Sequence, residues 1–312
     1  MEHQPQPSAT LASLRVLARL GQEKPLDFPV FWTRHQHARL VGPTLLLLNE
    51  EKRVSIESVW GPLCLCCDPS YRQFRRPAPI QLSGNWTSVI SYWSVGFHHW
   101  LVDTLPRLAL MGDFPADTQV IVPANLRSYQ IDTLRWLGLE GRYRPTSEQH
   151  IMVENFFFSS PVVMSGGYAP YSIEFLRRAF LDRGDRDFVT SKKVYIRRVN
   201  ASRGIINESE VIDLLDKNGW GIFDTEQLTM AQQIQLFANA EQICSLHGAA
   251  LTNLAWCRPG TRVVEIVSST FMNGVYEGIA EAARLDYAFL LCPGDTEFRA
   301  RVDVEALKRL LN

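Results

Sequence analysis

Between Lys193 and Cys292 the chain keeps switching hydrophobic period, and this alternation limits its possible folds more than any other feature. "KVYIRR", "WGIFD", "QICSL", "TRVVEIV" and "YAFLLC" are short apolar runs rich in β-branched and aromatic residues, the pattern of buried strands. Between them stand "NESEVIDLLDKNG", "TMAQQIQLFANA", "ALTNLAW" and "GVYEGIAEAARL". These carry helical spacing, and Gly219 closes the first. Parallel strands need crossovers of this length, so five strands joined by helices predict a parallel, doubly wound sheet.

The first half alternates less regularly. Strands are predicted at "TLLLLN" (44–49), "VSIESV" (54–59), "SVISYW" (88–93), "QVIVP" (119–123) and "NFFFSS" (155–160). Helices are predicted in "FHHWLVDTLPRLALM" (97–111), "YQIDTLRWLGL" (129–139) and "SIEFLRRAFLDR" (172–183), with a short one near residues 10–20. No repeat or low-complexity tract interrupts the chain, and the charged stretch "DRGDRDFVTSKK" (182–193) is its linker-like segment. The fold class expected is α/β: two Rossmann-like, doubly wound domains, 1–188 and 189–312, facing a cleft. The last helix, "VDVEALKRLLN", is free to pack back on the first. With 312 residues, 46% of them apolar, the chain can bury two moderate cores.

Composition removes several function classes. Its 32 basic and 33 acidic residues give a net charge of -1, so no global field draws the chain to nucleic acid or to an anionic membrane. Any anionic ligand must meet local cations. Arg15 and Arg19 break the apolar run near the start, so neither a signal peptide nor a transmembrane helix is expected. The expectation is a cytoplasmic chain, with peripheral membrane association left open. Asn85, Asn200 and Asn207 head Asn-x-Ser/Thr triplets, which matter only in a secretory setting.

Cys64, Cys66 and Cys67 crowd together while Cys244, Cys257 and Cys292 are scattered, which is no disulfide framework. "CLCC" lacks both C-x-x-C spacing and a second nearby pair. G-x-G-x-x-G, G-K-[ST] and H-E-x-x-H are absent, which removes nicotinamide, P-loop and zincin chemistry. Asp185 and Asp187 form an acid pair, but in a charged connector of the kind that is usually solvated. No metal site and no obligatory cofactor are expected.

In open parallel sheets ligands bind beyond the carboxyl ends of the strands. "LHGAALTN" falls there, where His247, Gly248, Ala249 and Ala250 turn from a strand into a helix. Small residues and free N–H groups at such a turn admit a phosphate. His247 adds a donor, or else serves as a structural or capping histidine. "KVYIRR" ends in Arg197 and Arg198, and Arg203 follows. Arginine forks suit phosphate oxygens, although three arginines also make an ordinary solvated loop. Asn207 sits where an N-cap belongs. Glu265, late in an apolar strand, needs a partner, either a ribose hydroxyl pair or an internal salt bridge. In the first half His99 and Asp103 are four residues apart on one helical face, and Arg107 extends the row. That row reads as an acid–base pair or as an Asp103–Arg107 ion pair.

"VYIRRVNASRGIINESEVIDLL", "LTMAQQIQLFANAEQICSLHGAALTNLAWCRPGTRVVEIV" and "FHHWLVDTLPRL" together resemble glycosyltransferase family 61, over about residues 85 to 290, in the manner of a bacterial-type member. That family includes plant xylosyl- and arabinosyltransferases, animal O-linked N-acetylglucosaminyltransferases and bacterial polysaccharide-related proteins. The resemblance implies a GT-B-like architecture, a nucleotide sugar held mainly by the second domain, inversion at the anomeric carbon and no obligatory metal. Arg198 and Arg203 match the basic positions, Asn207 and Glu208 the Asn-Glu pair, and His247, Gly248 and Asn253 the signature turn. The chain departs from the pattern at Arg197, where serine is common, and at Ala250, where glycine is common.

The donor would then meet Arg198, Arg203, Asn207, Glu208, His247, Gly248, Ala249, Asn253 and Glu265. Asp103 is expected as general base with His99 orienting it, and the reverse assignment stays open. The expected reaction is inverting transfer from a nucleotide-diphosphate sugar, UDP-sugar favoured, to a glycan or other hydroxyl acceptor in glycan biosynthesis. A nucleotide-sugar epimerase or hydrolase, and a catalytically silent nucleotide-sugar-binding protein, are the rival readings.

Overall fold

The computed structural model describes residues 17–18, 21–22, 30–49, 51–55, 58–59, 77–163, 170–199 and 203–311. The chain divides into two compact units whose boundary falls between Phe175 and Leu176. The charged stretch 182–193 therefore belongs to the second unit. There the Asp185 N–H donates to the Ala231 carbonyl at 3.1 Å, and the Asp185 carboxylate accepts from the Asp187 N–H at 3.2 Å.

The first unit is built on a six-stranded sheet. Its strands are β1 (Trp32–Val41), β2 (Leu46–Leu48), β3 (Ile80–Ser88), β4 (Gln119–Pro123), β5 (Tyr143–Thr146) and β6 (His150–Ser159), in the order β2-β1-β6-β3-β4-β5. β6, β3, β4 and β5 run parallel, but β1 is antiparallel to both β2 and β6. The all-parallel expectation thus fails on this side of the sheet. β1 and β2 are joined by a turn at 42–45 with positive φ at Gly42 and Leu45, and so tight a connection can only return the chain antiparallel.

The strand predicted at 88–93 is also displaced. β3 ends at Ser88, and 92–95 is a turn. Of 54–59, Val54 makes an isolated bridge to Leu48, and 56–57 lie outside the described residues. Leu40, Leu47, Leu82, Ile121, Ile151 and Phe156 fill this unit's core. Two helical segments follow β3 and β4, namely α1 (97–113) and α2 (Ser128–Trp136).

The second unit follows from α3 (Pro170–Phe180) and keeps the predicted alternation. β7 (Lys193–Ile196), β8 (Gly221–Phe223), β9 (Gln242–Leu246), β10 (Arg262–Ser268) and β11 (Asp286–Cys292) all pair in parallel, in the order β8-β7-β9-β10-β11. The connections are α4 (Glu208–Lys217), α5 (Met230–Asn239), a 3₁₀ segment (Ala249–Trp256) and α6 (Val275–Ala282), and α7 (Val304–Leu311) ends the chain. α5 begins as its sequence dictates: Thr229 and Gln232 form a reciprocal capping box that satisfies two orphan N–H groups.

Side chains alternate across this sheet. Tyr195, Cys244, Leu246, Val264, Ile266 and Cys292 pack with Leu215 and Leu307 on one face, while Val194, Ile196, Ile243, Val263 and Val267 are buried on the other. Both faces are covered, which explains the continuous apolar runs. Leu307 places α7 against the second unit's core. Cys244, Cys257 and Cys292 are buried free thiols, and burial pushes Cys292 up to about 11.

"CLCC" lies outside the described residues. Of the helix predicted near residues 10–20, Leu17–Ala18 are described as a strand paired antiparallel with Gly21–Gln22. Among the described residues no helix is long and apolar enough to cross a membrane. Leu215 is fully buried, so Leu215→Ala is expected to destabilise the second unit by about 2–5 kcal/mol, read from the shift of its denaturant midpoint.

Candidate active site

The strand order of the second unit reverses between β7 and β9, and in a doubly wound sheet the crevice at such a point is where ligands sit. Arg198 leaves the end of β7, and its Nη1 donates to the His247 carbonyl, just past the end of β9, at 2.6 Å. A Cβ on Gly248 would stand 2.9–3.1 Å from the Arg198 guanidinium. Glycine therefore lets the arginine lie across the turn. Arg203 places its guanidinium over the Phe271 ring at 3.9 Å, and its buried Nη1 has no hydrogen-bond partner among the described residues.

Burial lowers the pKa of both arginines, and Arg203 adds to the effect on Arg198. Both remain cations, because guanidinium does not deprotonate in proteins. Two partly desolvated like charges at a turn of small residues make a site for an anion.

His247 is fixed from behind. Its Nδ1 meets Glu265 Oε1 at 2.5 Å, and the Tyr287 hydroxyl donates to the other oxygen, Oε2. An ionised carboxylate only accepts, so Nδ1 carries a proton and Nε2 is the remaining ring nitrogen. The ring lies between Phe271 and Tyr276, with centroids 5.5 and 4.9 Å away. Burial, and then the Glu265 charge, hold Tyr276 well above its ordinary value. Of the two partners sequence leaves open for Glu265, the structure supplies the internal one. Both of its oxygens are engaged by protein.

Three other predicted donor residues also serve the scaffold. Asn207 occupies the N-cap position of α4 without capping it. Instead its Nδ2 donates to the Val302 carbonyl at 3.0 Å and its Oδ1 accepts from the Val302 N–H at 2.9 Å. Glu208 accepts from Arg197 and from the Tyr195 hydroxyl, each at 3.2 Å, which raises the pKa of Arg197 and ties that arginine down. Asn253 is fully buried; it donates to Gln233 and to the Ala250 carbonyl and accepts from the Trp256 indole N–H. These bonds fasten the 3₁₀ segment, whose first residue, Ala249, is exposed. Arg177 closes its far end through the Ala255 and Cys257 carbonyls, both at 2.7 Å.

In the first unit α1 changes geometry along its length: α at Phe97–His99, π at Trp100–Thr104, 3₁₀ at Leu105–Asp113. Pro106 supplies a reason. It has no N–H, and its ring would crowd the Val102 carbonyl in a regular helix. Within the widened turn His99 Nδ1 meets Asp103 Oδ2 at 2.6 Å, with side-chain exposures of 22% and 1%. The Trp93 indole lies nearly parallel to the His99 ring, 5.7 Å away. Arg107 donates to the Ser88 and Ser159 carbonyls at 3.1 and 2.8 Å, anchoring the segment to the ends of β3 and β6. Burial pushes its pKa down to about 10.

Sequence reasoning missed Phe271, Tyr276 and Tyr287. Phe271 and Tyr276 lie in the connection after β10 and at the start of α6, and Tyr287 lies on β11, where no spacing to His247 marks them in the sequence.

A parallel sheet with two partly buried arginines at its switch point makes this an α/β protein. The family described as Glycosyltransferase 61 matches residues 97–264, and the chain belongs to that family. It is 30% identical over 100 residues to the β-1,2-xylosyltransferase RCN11 of Oryza sativa subsp. japonica, a match covering 28% of this chain and 18% of that protein. The chain thus matches well under two thirds of that relative's length.

Since the Asn207 amide is spent on the Val302 backbone, Asn207→Ala is expected to cost about 1–3 kcal/mol of stability. The shift of the denaturant midpoint measures that loss.

Proposed function

We propose that the chain transfers a sugar, with inversion, from a nucleoside-diphosphate donor, UDP-sugar favoured, to a hydroxyl acceptor in glycan biosynthesis. The architecture in this reading is GT-B-like, with donor machinery on the second unit and proton-transfer machinery on the first. One observation carries it: Arg198 and Arg203 converge beside the His247 turn at the switch point.

The acceptor oxygen attacks the anomeric carbon as the bond from that carbon to the diphosphate oxygen breaks. Negative charge collects on the leaving diphosphate, where the two guanidinium groups and the N–H groups that open the 3₁₀ segment stabilise it. Glu265 and Tyr287 hold His247 for this purpose and do not touch donor. The acceptor proton passes to His99 Nε2. Asp103 keeps the ring in its tautomer and stabilises the imidazolium. The burial of Asp103 behind His99 favours this order over the expected one with Asp103 as base. The rice relative is named a xylosyltransferase, which supports including a xylosyl donor among those tried.

UDP should raise the melting temperature more than GDP, CMP or dTDP do, as a ligand specific to the folded state must. Arg198→Ala should weaken UDP binding by about 1.5–3 kcal/mol, and unchanged affinity in calorimetry would remove this arginine from the site. With the diphosphate charge assigned to arginines, EDTA should leave transfer largely intact; loss of transfer with recovery on Mn²⁺ would sink that assignment. His99→Ala should lower kcat by about 10²–10⁴ with UDP affinity retained. Added imidazole should restore part of that rate, whereas Asp103→Asn should not respond; the opposite pattern would return the base to Asp103.

A further inference from the structure

We propose that Trp93, with Tyr92 beside it, is the platform on which a sugar ring of the acceptor lies, so that the acceptor is a glycan presenting a ring hydroxyl to His99. This rests on His99 as the proton acceptor.

The turn "SYWSVG" (91–96) is tightly fastened. The Ser91 N–H donates to Ser94 Oγ at 3.2 Å, and Ser94 Oγ donates back to the Ser91 carbonyl at 2.9 Å. From α2, Gln130 donates to the Ser94 carbonyl at 3.0 Å and the Tyr129 hydroxyl to the Val95 carbonyl at 2.9 Å. Despite this anchoring, Tyr92 and Trp93 are 43% and 48% exposed. Two adjacent large aromatics held in water by a rigid turn are an unusual surface for a folded chain.

Their geometry points to a ligand of one chemistry. Trp93 stacks on His99 with the planes 21° apart, and Tyr92 meets Trp93 edge to face at 4.7 Å. The negative face of an indole attracts positively polarised edges, and the C–H face of a pyranose is such a surface, with its hydroxyls directed outward. The 5.7 Å centroid separation is that of an offset stack, so a ring packed on the part of the indole face that His99 leaves uncovered carries those hydroxyls alongside the imidazole. The turn holds no charged side chain, so nothing in it selects a phosphorylated or acidic acceptor. A peptide serine or a small alcohol has no apolar ring face to lay there.

Saturation-transfer NMR on the full chain tests this with methyl β-D-xylopyranoside, β-D-glucopyranoside, β-D-galactopyranoside and α-D-mannopyranoside, with glycerol and free serine as hydroxyl controls. At least one glycoside should receive saturation through its ring C–H protons, and the controls none. Trp93→Ala should weaken that binding by about tenfold or more, with Trp93→Phe between it and the wild type. The melting temperature and UDP affinity of both variants should be unchanged. In transfer assays Trp93→Ala should raise the acceptor KM far more than it lowers kcat. A folded Trp93→Ala that binds glycosides like the wild type, or a wild-type chain that binds none of them, overturns the proposal. UDP binding without glycoside binding leaves the donor reading standing and removes only the platform, while glycoside binding lost in Trp93→Ala but without any nucleotide binding does the reverse.

Discussion

The contact between the Arg198 guanidinium and the His247 carbonyl is the interaction on which the switch point of the second unit depends. It joins the two strand ends at which the sheet changes direction, and it requires a residue without Cβ at position 248. Burial weighs on both Arg198 and Arg203, and the charge of Arg203 weighs further on Arg198. The rest of the second unit holds these groups in register: Glu265 behind His247, Asn253 and Arg177 along the 3₁₀ segment, and Asn207 against the backbone of Val302 just before α7.

How much of this was legible in the sequence depends on burial. β7, β9 and β10 are covered on both faces and are spelled as unbroken apolar runs, so their places and parallel pairing could be read directly. β1, "WTRHQHARLV", is half-exposed along much of its length and shows neither alternation nor an apolar run. β3 contains Gly84 at φ +84° and a register shift between Leu82 and Asn85, which blurs its period. β5, "YRPT", lies at the sheet edge, where Pro145 is tolerated.

The site divides along a similar line. Arg198, Arg203 and His247 follow from the rule that ligands sit beyond strand ends, and His99 with Asp103 from helical spacing. Polar residues in apolar surroundings are harder, because sequence shows that they need partners without showing which. Asn207 and Glu265 find theirs in Val302, His247 and Tyr287, far along the chain. Pairing of β9, β10 and β11 brings Glu265 to His247 and Tyr287.

The π turn at Trp100–Thr104 makes α1 sensitive to length in a way that its composition does not reveal. A widened turn takes up one residue more than an α turn, so the stretches on either side are out of phase by about 100°, the rotation of one helical residue. His99 owes its direction to that offset as much as to Asp103, while Leu105 and Leu108 downstream stay in the core. Deletion of a single residue between them would shift that phase and turn the histidine relative to the core-facing leucines. Insertions and deletions, more than substitutions, are therefore the changes this segment has least room to absorb.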